Sequence, residues 1–175
     1  MFSNQSVRDP ERKLRRFAAA PGSQNDTNFD NLRRWIVARQ SGETGKGLCW
    51  RVLLAEDDPA NRAVLRNLLE QSGITVTEAV NGREAVRLIE ETDIDLVLLD
   101  INMPEMDGLS AARAIRRMGA GKAGLPLIAV TSDVNDAALS DMQAAGFNGC
   151  LEKPVRRDDL FASILQVLSG RLAAE

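Results

Sequence analysis

Residues 95–109 read DLVLLDINMPEMDGL, in which a run of apolar residues ends in the carboxylate of Asp100. A continuous run of leucine and valine is typical of a strand that is buried on both faces of a sheet. Met103 and Pro104 indicate a loop after the strand, and residues 109–118 have the spacing of a helix. The stretch therefore predicts a buried strand, a loop and a helix, with an acidic residue where the strand ends.

The same strand–helix unit recurs along residues 51–168. The patterns predict strands at 51–55, 74–79, 95–100, 125–130 and 147–151, and helices at 59–71, 82–89, 109–118, 134–145 and 156–168. Strict alternation of apolar strands with amphipathic helices predicts an α/β fold, a doubly wound parallel sheet with helices on both faces. We expect the strand order 2-1-3-4-5, which makes the first and third strands neighbours.

Polar residues follow four of these strands. Glu56 and Asp57 come after the first strand, Asp100 ends the third, Thr131 follows the fourth, and Lys153 follows the fifth. Because the carboxyl ends of parallel strands share one edge of the sheet, which is where such folds bind ligands, we expect these side chains to meet there.

The residue types in this group favour phosphoryl chemistry. Crowded carboxylates at positions 56, 57 and 100 need a compensating charge, and oxygen ligands suit Mg²⁺. Lys153 adds a positive charge and Thr131 a hydroxyl donor. Asp100 can then attack phosphorus as a nucleophile and form an acyl phosphate.

Each residue also has a simpler interpretation. The two acids can be a helix N-terminal pair, Asp100 the start of a loop, Thr131 a helix cap, and Lys153 a solvated lysine. Their joint placement at matching strand ends favours a common site.

Four motifs carry a family resemblance: VLLAEDDPANR (52–62), DLVLLDINMPEMDGL (95–109), LIAVTSD (127–133) and LEKPV (151–155). Together they resemble the receiver domain of two-component response regulators, over about residues 50–170. The amino-acid sequences of these motifs are similar to those of receivers in hybrid histidine kinases and phosphorelays. The resemblance implies a flavodoxin-like (βα)5 fold.

The resemblance also implies a phosphoacceptor and a metal site. Asp100 would be the phosphoacceptor. Glu56, Asp57, Asp100 and the backbone carbonyl of Asn102 would hold Mg²⁺, with Mn²⁺ as an alternative. The phosphoryl donor would be a histidine kinase or a histidine phosphotransfer protein.

The remaining site residues are assigned by the same resemblance. Thr131 would bond the phosphoryl group in the active state, and Lys153 would pair with it. The Lys153–Pro154 bond would be cis. Asn102 and Asp133 occupy the places that flank the hydrolytic water in the family, so we expect them to tune the lifetime of the phosphoryl group.

One position departs from the family pattern. Receivers usually carry an aromatic ring three residues before the lysine, where it turns inward on activation. This chain has Cys150 there and no tyrosine at all. We expect Cys150 at this switch position to be a small core residue or a changed element of the switch; a redox-sensing thiol would need an exposed thiolate.

Composition limits the other functions. The chain of 175 residues has no histidine, which excludes a histidine-based zinc site, a Ser-His-Asp triad and a phosphohistidine. It has two cysteines, and no apolar run exceeds six residues. We therefore expect a cytoplasmic protein without a disulfide framework or membrane insertion.

Charge and composition divide the chain near residue 50. Residues 1–51 carry ten Lys/Arg and five Asp/Glu, whereas residues 52–175 carry twelve and twenty. We predict a basic extension at 1–49, with short helices from Asp9 and from Thr27 and a linker at 41–47, and a receiver domain at 50–175. The extension is a solvated tail, a binding segment for an anionic partner, or a segment docked on its own domain. The acidic domain argues against direct binding of nucleic acid.

Two enzyme or cofactor classes compete with a signalling protein. A phosphohydrolase of the haloacid dehalogenase type also uses an aspartate nucleophile. Its motif is DxD, in which a second aspartate two residues later is the general acid, and this chain has Asn102 at that position. A dinucleotide module would need GxGxxG after the first strand, which is missing. As a signalling protein, the chain can be a relay intermediate, a stand-alone regulator or the receiver end of a hybrid kinase. Since it ends at Glu175, we expect no output domain after the receiver.

Overall fold

The computed structural model describes residues 50–119 and 121–172. The strands are β1 (Arg51–Ala55), β2 (Thr75–Ala79), β3 (Leu96–Asp100), β4 (Leu127–Thr131) and β5 (Gly149–Glu152). The helices are α1 (Pro59–Glu70), α2 (Gly82–Glu91), α3 (Gly108–Arg116), α4 (Asp136–Ala145) and α5 (Arg157–Leu172), with a 3-10 turn at Lys122–Gly124. All neighbouring strands are parallel, in the order β2-β1-β3-β4-β5. The predicted fold and strand order are confirmed.

Side-chain caps set where four of the helices begin. Asp58, Asn81, Asp107 and Asn135 each accept a hydrogen bond from the backbone N–H three residues later, at 2.7–2.8 Å. Each bond satisfies one of the N–H groups that the first helical turn leaves without a partner. Pro59 follows the cap of α1, where its missing N–H costs nothing. These helices therefore begin three to eight residues after the preceding strands end, and the loops between them lie at the carboxyl edge of the sheet.

The core consists of one apolar cluster on each face of the sheet. Residues of β3 alternate between them: Val97 and Leu99 pack with α2, α3 and α4, and Leu96 and Leu98 pack with α1 and α5. All five residues of β3 and of β4 are buried. This two-sided burial explains why the central strands are continuous apolar runs.

The starts of β4, β5 and α4 each lie two residues later than the sequence predicts, and β5 begins at Gly149 rather than at residue 147. β4 begins at Leu127 rather than at residue 125, because Pro126 has no N–H to donate to the sheet. α4 begins at Asp136, two residues later than predicted, because the cap is Asn135. The interpretation of Thr131 as a helix cap is therefore wrong, and its side chain is left at the edge of the sheet.

The two helices predicted in the basic extension, and the linker at 41–47, lie outside the described residues. Within the part that the structure describes, no helix is both long and apolar enough to span a membrane.

Candidate functional site

Three carboxylates meet at the carboxyl edge of β1 and β3. Glu56 directly follows β1 and is 1% exposed, and its N–H donates to the carbonyl of Ala79 at the end of β2. Asp57 is exposed beside it, and Asp100, the last residue of β3, is 3% exposed. One oxygen of each carboxylate lies within 4.8 Å of the others. The order of the strands thus brings together acids that are 44 positions apart in the sequence, from 56 to 100.

Lys153 reaches this acidic group from the loop after β5. Its Nζ lies 2.7 Å from Oε2 of Glu56 and 2.7 Å from Oδ2 of Asp100. The backbone N–H of Lys153 donates to the carbonyl of Thr131, and the Lys153–Pro154 bond is cis, as the resemblance implies. The backbone bond to Thr131 fixes the position of residue 153 beside β4, and its ammonium lies between two buried carboxylates.

Burial and charge act on these groups in opposite directions. Burial raises the pKa of Glu56, and the negative charge of Asp100 adds to this effect, against the opposing influence of Lys153. Burial also lowers the pKa of Lys153, but its hydrogen bonds to Asp100 and Glu56 outweigh this, so that the pKa lies above the ordinary value. Lys153 therefore stays charged near neutral pH.

The donor set fits a hard divalent cation. With formal charges, the three carboxylates and one ammonium give a net charge of −2 (−3 and +1). Oδ1 of Asp100 accepts the N–H of Asn102 at 3.1 Å, and Oε1 of Glu56 accepts that of Asp58 at 3.3 Å. Among the described residues, nothing bonds to the exposed carboxylate of Asp57. An all-oxygen set with one solvent-facing carboxylate is typical of Mg²⁺, which retains several waters.

Thr131 and Asp133 lie next to this group on β4 and the loop after it. Asp100 is in register with Val130, so Thr131 is one position further toward the edge. Thr131 is 2% exposed, and its Oγ1 accepts the N–H of Asp133 at 3.2 Å. The side chain of Asp133 accepts a hydrogen bond from Asn135 and is exposed. The loop is thus held by local bonds that join Thr131 to the start of α4.

Cys150 lies inside β5, in register with Ala129. It is 8% exposed and belongs to the apolar cluster that α2, α3 and α4 cover. This placement fits the interpretation as a small core residue; its role in switching stays a prediction.

Two residues that sequence reasoning missed also shape the site. Arg62 on α1 donates from one nitrogen to the backbone carbonyls of Glu56 and Asp57, at 2.7 and 3.2 Å. At Gly108, an added Cβ would lie 2.2 Å from the carbonyl oxygen of Asp100, so only glycine permits α3 to start there. The signal for Arg62 was its place in the first turns of the helix after the acids; for Gly108 it was a glycine just before a helix.

The family model of the response regulator receiver domain matches residues 52–165. This range includes all five strands except Arg51, the first residue of β1. The chain belongs to this family. The receiver is 37% identical over 114 residues to the CAI-1 autoinducer sensor kinase/phosphatase CqsS of Vibrio cholerae, a match that covers 65% of this chain and 17% of CqsS. The chain therefore spans only about a sixth of the length of that relative.

Solved structures agree with this assignment. The chemotaxis protein CheY4 of Vibrio cholerae has a TM-score of 0.66 and 27% identity, covering 69% of this chain and 99% of CheY4. The receiver domain of sensor histidine kinase PA1611 of Pseudomonas aeruginosa, with a magnesium ion in its active site cleft, has a TM-score of 0.63 and 32% identity, covering 69% of this chain and 98% of that one. The alternative of a haloacid dehalogenase phosphohydrolase finds no support, because the family match is to receivers.

Proposed function

We propose that this receiver accepts a phosphoryl group on Asp100 and passes on the signal through protein contacts. The observation that carries the proposal is the position of Asp100, a buried carboxylate at a strand end with Lys153 2.7 Å away and two further acids beside it. A buried nucleophile next to a fixed cation is suited to hold a group that brings additional negative charge.

The transfer step uses the carboxylate of Asp100 directly. One oxygen attacks phosphorus, an acyl phosphate forms, and the bond from phosphorus to the donor, the nitrogen of a phosphohistidine or the oxygen of acetyl phosphate, breaks with its electron pair. Lys153 moves from the carboxylate to an oxygen of the phosphoryl group, and the hydroxyl of Thr131 donates to another. Since the receiver supplies these groups itself, a small donor suffices. Hydrolysis of the acyl phosphate then returns the free carboxylate and inorganic phosphate.

The acidic group is proposed as the metal site. Glu56, Asp57, Asp100 and the backbone carbonyl of Asn102 would hold Mg²⁺ or Mn²⁺, with Asp57 as the ligand most open to solvent. When bound, the metal neutralises charge on the phosphoryl oxygens. The net formal charge of −2 on the three carboxylates and Lys153 together supports this assignment.

Asn102 and Asp133 are proposed to set the lifetime of the phosphoryl group. Each stands two residues beyond a site residue, Asp100 or Thr131, and both side chains are short and polar. They neither cover the site with apolar surface nor reach across it to orient a water molecule, so a moderate lifetime is expected.

We propose a histidine kinase or a histidine phosphotransfer protein as the phosphoryl donor, and a cytoplasmic location. Similarity to the receiver part of a sensor kinase supports a donor of this type. We also propose that the receiver neither contacts nucleic acid directly nor inserts into a membrane.

The division of the chain is also a proposal. Residues 50–175 would form the receiver and residues 1–49 a separable basic extension, because every residue that we place in the site comes from residue 56 onward.

Labelling of Asp100 tests the proposed function. The full chain is incubated with acetyl phosphate and MgCl₂, and intact-mass and peptide mass spectrometry locate the label. One phosphoryl group is expected, on Asp100, and none on Asp100→Asn or without a divalent cation. The control Asp141→Asn changes an exposed aspartate of α4 and should be labelled as the unchanged protein. Label on another residue of the native protein would overturn the assignment.

A further inference from the structure

Arg62 links α1 to the backbone of both acids that follow β1. Its Nη1 donates to the carbonyl of Glu56 at 2.7 Å and to that of Asp57 at 3.2 Å. These carbonyls precede the cap Asp58 and are not part of a strand or a helix. Without the guanidinium, the peptide groups from which both acidic side chains project would lose these two bonds.

The guanidinium is itself held in place from β2. Its Nε lies 3.2 Å from Oε1 of Glu78, and the side chain is only 18% exposed. Glu78 uses its other oxygen for Arg66, at 3.1 Å from Nη1. A planar guanidinium can serve a carboxylate with one nitrogen and carbonyls with another at the same time, which a lysine ammonium on a flexible stem does poorly.

We propose that Arg62 is a positioning residue that holds the Glu56–Asp57 loop in the geometry that binds the divalent cation, with Glu78 as its support. The inference rests on the proposed metal site. It adds to that proposal a basic residue, Arg62, that fixes the backbone from which the acidic metal ligands project. Mutation of a residue that orients a metal ligand through a hydrogen bond typically lowers the metal affinity about 10–100-fold.

The sign of the effect separates this role from electrostatics. A positive charge near a cation site opposes binding of the cation, so charge alone predicts tighter Mg²⁺ binding when Arg62 is removed. Positioning predicts weaker binding. A purely structural role predicts a lower melting temperature with an unchanged dissociation constant for Mg²⁺.

The experiment is an NMR titration of the full chain with MgCl₂, which follows amide shifts of the loop after β1. Arg62→Gln should weaken Mg²⁺ binding about tenfold, while saturating Mg²⁺ restores most of the rate of phosphorylation by acetyl phosphate. Arg62→Lys, which keeps the charge, should not restore the affinity. Arg66→Gln is the matched control, because Arg66 shares Glu78 but does not bond to the loop, and its affinity should be unchanged.

Unchanged or tighter binding by a folded Arg62→Gln would overturn the inference, as would an equal loss in Arg66→Gln. If Arg62→Gln does not fold, Glu78→Gln decides the question. It removes the support of Arg62 and should weaken Mg²⁺ binding more than Arg66→Gln does, and equal affinities of these two variants would refute the role. Failure of the unchanged protein to bind Mg²⁺ would instead overturn the metal site, and this inference with it.

Discussion

The ammonium of Lys153 lies 2.7 Å from Oδ2 of Asp100, although the two residues are 53 positions apart in the sequence. The same nitrogen lies 2.7 Å from Oε2 of Glu56. Both carboxylates are almost fully buried, so this one cation offsets a large part of the cost of placing them together. The pair therefore links the stability of the metal-free receiver to the chemistry of its site.

Lys153→Ala should destabilise the metal-free receiver by about 2 kcal/mol, because two buried carboxylates lose a charged hydrogen-bond partner. Mg²⁺ should recover most of that loss, since it replaces the missing positive charge and binds only the folded state. Urea unfolding with and without MgCl₂ measures both quantities.

Lys122→Ala is the control for this substitution. Lys122 is the other lysine of the described residues, and it donates to the carbonyl of Thr92 at an exposed place. Its removal should leave the Mg²⁺-dependent gain in stability unchanged. Equal stability of Lys153→Ala and the unchanged protein in the absence of metal would contradict the proposed role of the ammonium.

The stability of the receiver should fall at alkaline pH through Lys153. Burial lowers its pKa but the bonds to Asp100 and Glu56 outweigh burial, so the folded-state pKa lies above 10.5. Such a group contributes stability that is fully present below the unfolded-state pKa of 10.5 and is lost as the pH rises through the folded-state value. The chain has no tyrosine, so no phenol titrates in the same range.

Urea unfolding from about pH 9 to about pH 12 checks this expectation. The free energy of unfolding should decline over the upper part of the range, and the decline should be smaller in Lys153→Met. Parallel curves for the two proteins would show that the alkaline loss has another source.

The strands and their order were predictable because burial leaves a periodic pattern. β3 and β4 are buried on both faces and show as unbroken apolar runs, and the edge strand β2 shows partial alternation. The starts of β4 and α4 were less accessible, because they depend on the missing N–H of Pro126 and on the choice of Asn135 as cap.

The meeting of Glu56, Asp57, Asp100 and Lys153 was predictable because the carboxyl ends of parallel strands share an edge. The sequence did not show which of two adjacent acids is buried. Glu56 and Asp57 are both acidic, and the side chain of Glu56 is buried whereas that of Asp57 is exposed. The role of Arg62 was harder to predict, because a bond from a side chain to a backbone carbonyl leaves no periodic pattern, and its place in the first turns of the helix after the acids was the one signal.

Asp133→Leu should slow hydrolysis of the phosphoryl group. The exposed carboxylate stands at the start of the loop after Thr131, and an apolar side chain there would restrict the approach of water. The decay of the phosphorylated form, followed by intact mass after removal of acetyl phosphate, gives the rate. Asp141→Leu, an equal change on the exposed surface of α4, should leave it unchanged. Identical decay rates of Asp133→Leu and Asp141→Leu would contradict the proposed influence of residue 133 on hydrolysis.

Arg116 should be important for stability and unimportant for chemistry. It donates to the carbonyls of Gly146, Ala123 and Leu125 and to Oδ1 of Asn148, at 2.6–3.0 Å. These bonds join the end of α3 to the segments that precede β4 and β5, at the edge of the sheet opposite the site. Burial lowers the pKa of Arg116, so its charge is costly and is maintained by these acceptors.

Arg116→Met should therefore lower the free energy of unfolding by about 3 kcal/mol, because several acceptors lose a charged donor. Labelling of Asp100 by acetyl phosphate should persist at temperatures where the variant is folded. Arg113→Met, on an exposed position of the same helix, should change stability little. A loss of labelling in folded Arg116→Met would show that the two edges of the sheet are coupled.

Cys150→Tyr tests how the signal leaves the site. Cysteine is too short to fill the place that an aromatic ring takes in receivers of the usual pattern, or to present a ring outside the domain. At 8% exposure, Cys150 is packed in the apolar cluster on the face of α4, so we expect activation to act through the Thr131 loop and α4 rather than through movement of residue 150. A tyrosine at this position adds a ring that can occupy an inner or an outer place.

The measurement compares partner affinity with and without a phosphoryl mimic, for the unchanged protein and for Cys150→Tyr. The difference between the two affinities should change while the phosphorylation rate stays nearly constant, because Asp100 and Lys153 are unaltered. Cys150→Ala, which keeps a small apolar side chain, should preserve the difference found in the unchanged protein. If Cys150→Tyr also preserves it, residue 150 takes no part in switching, and the position is explained by core packing alone.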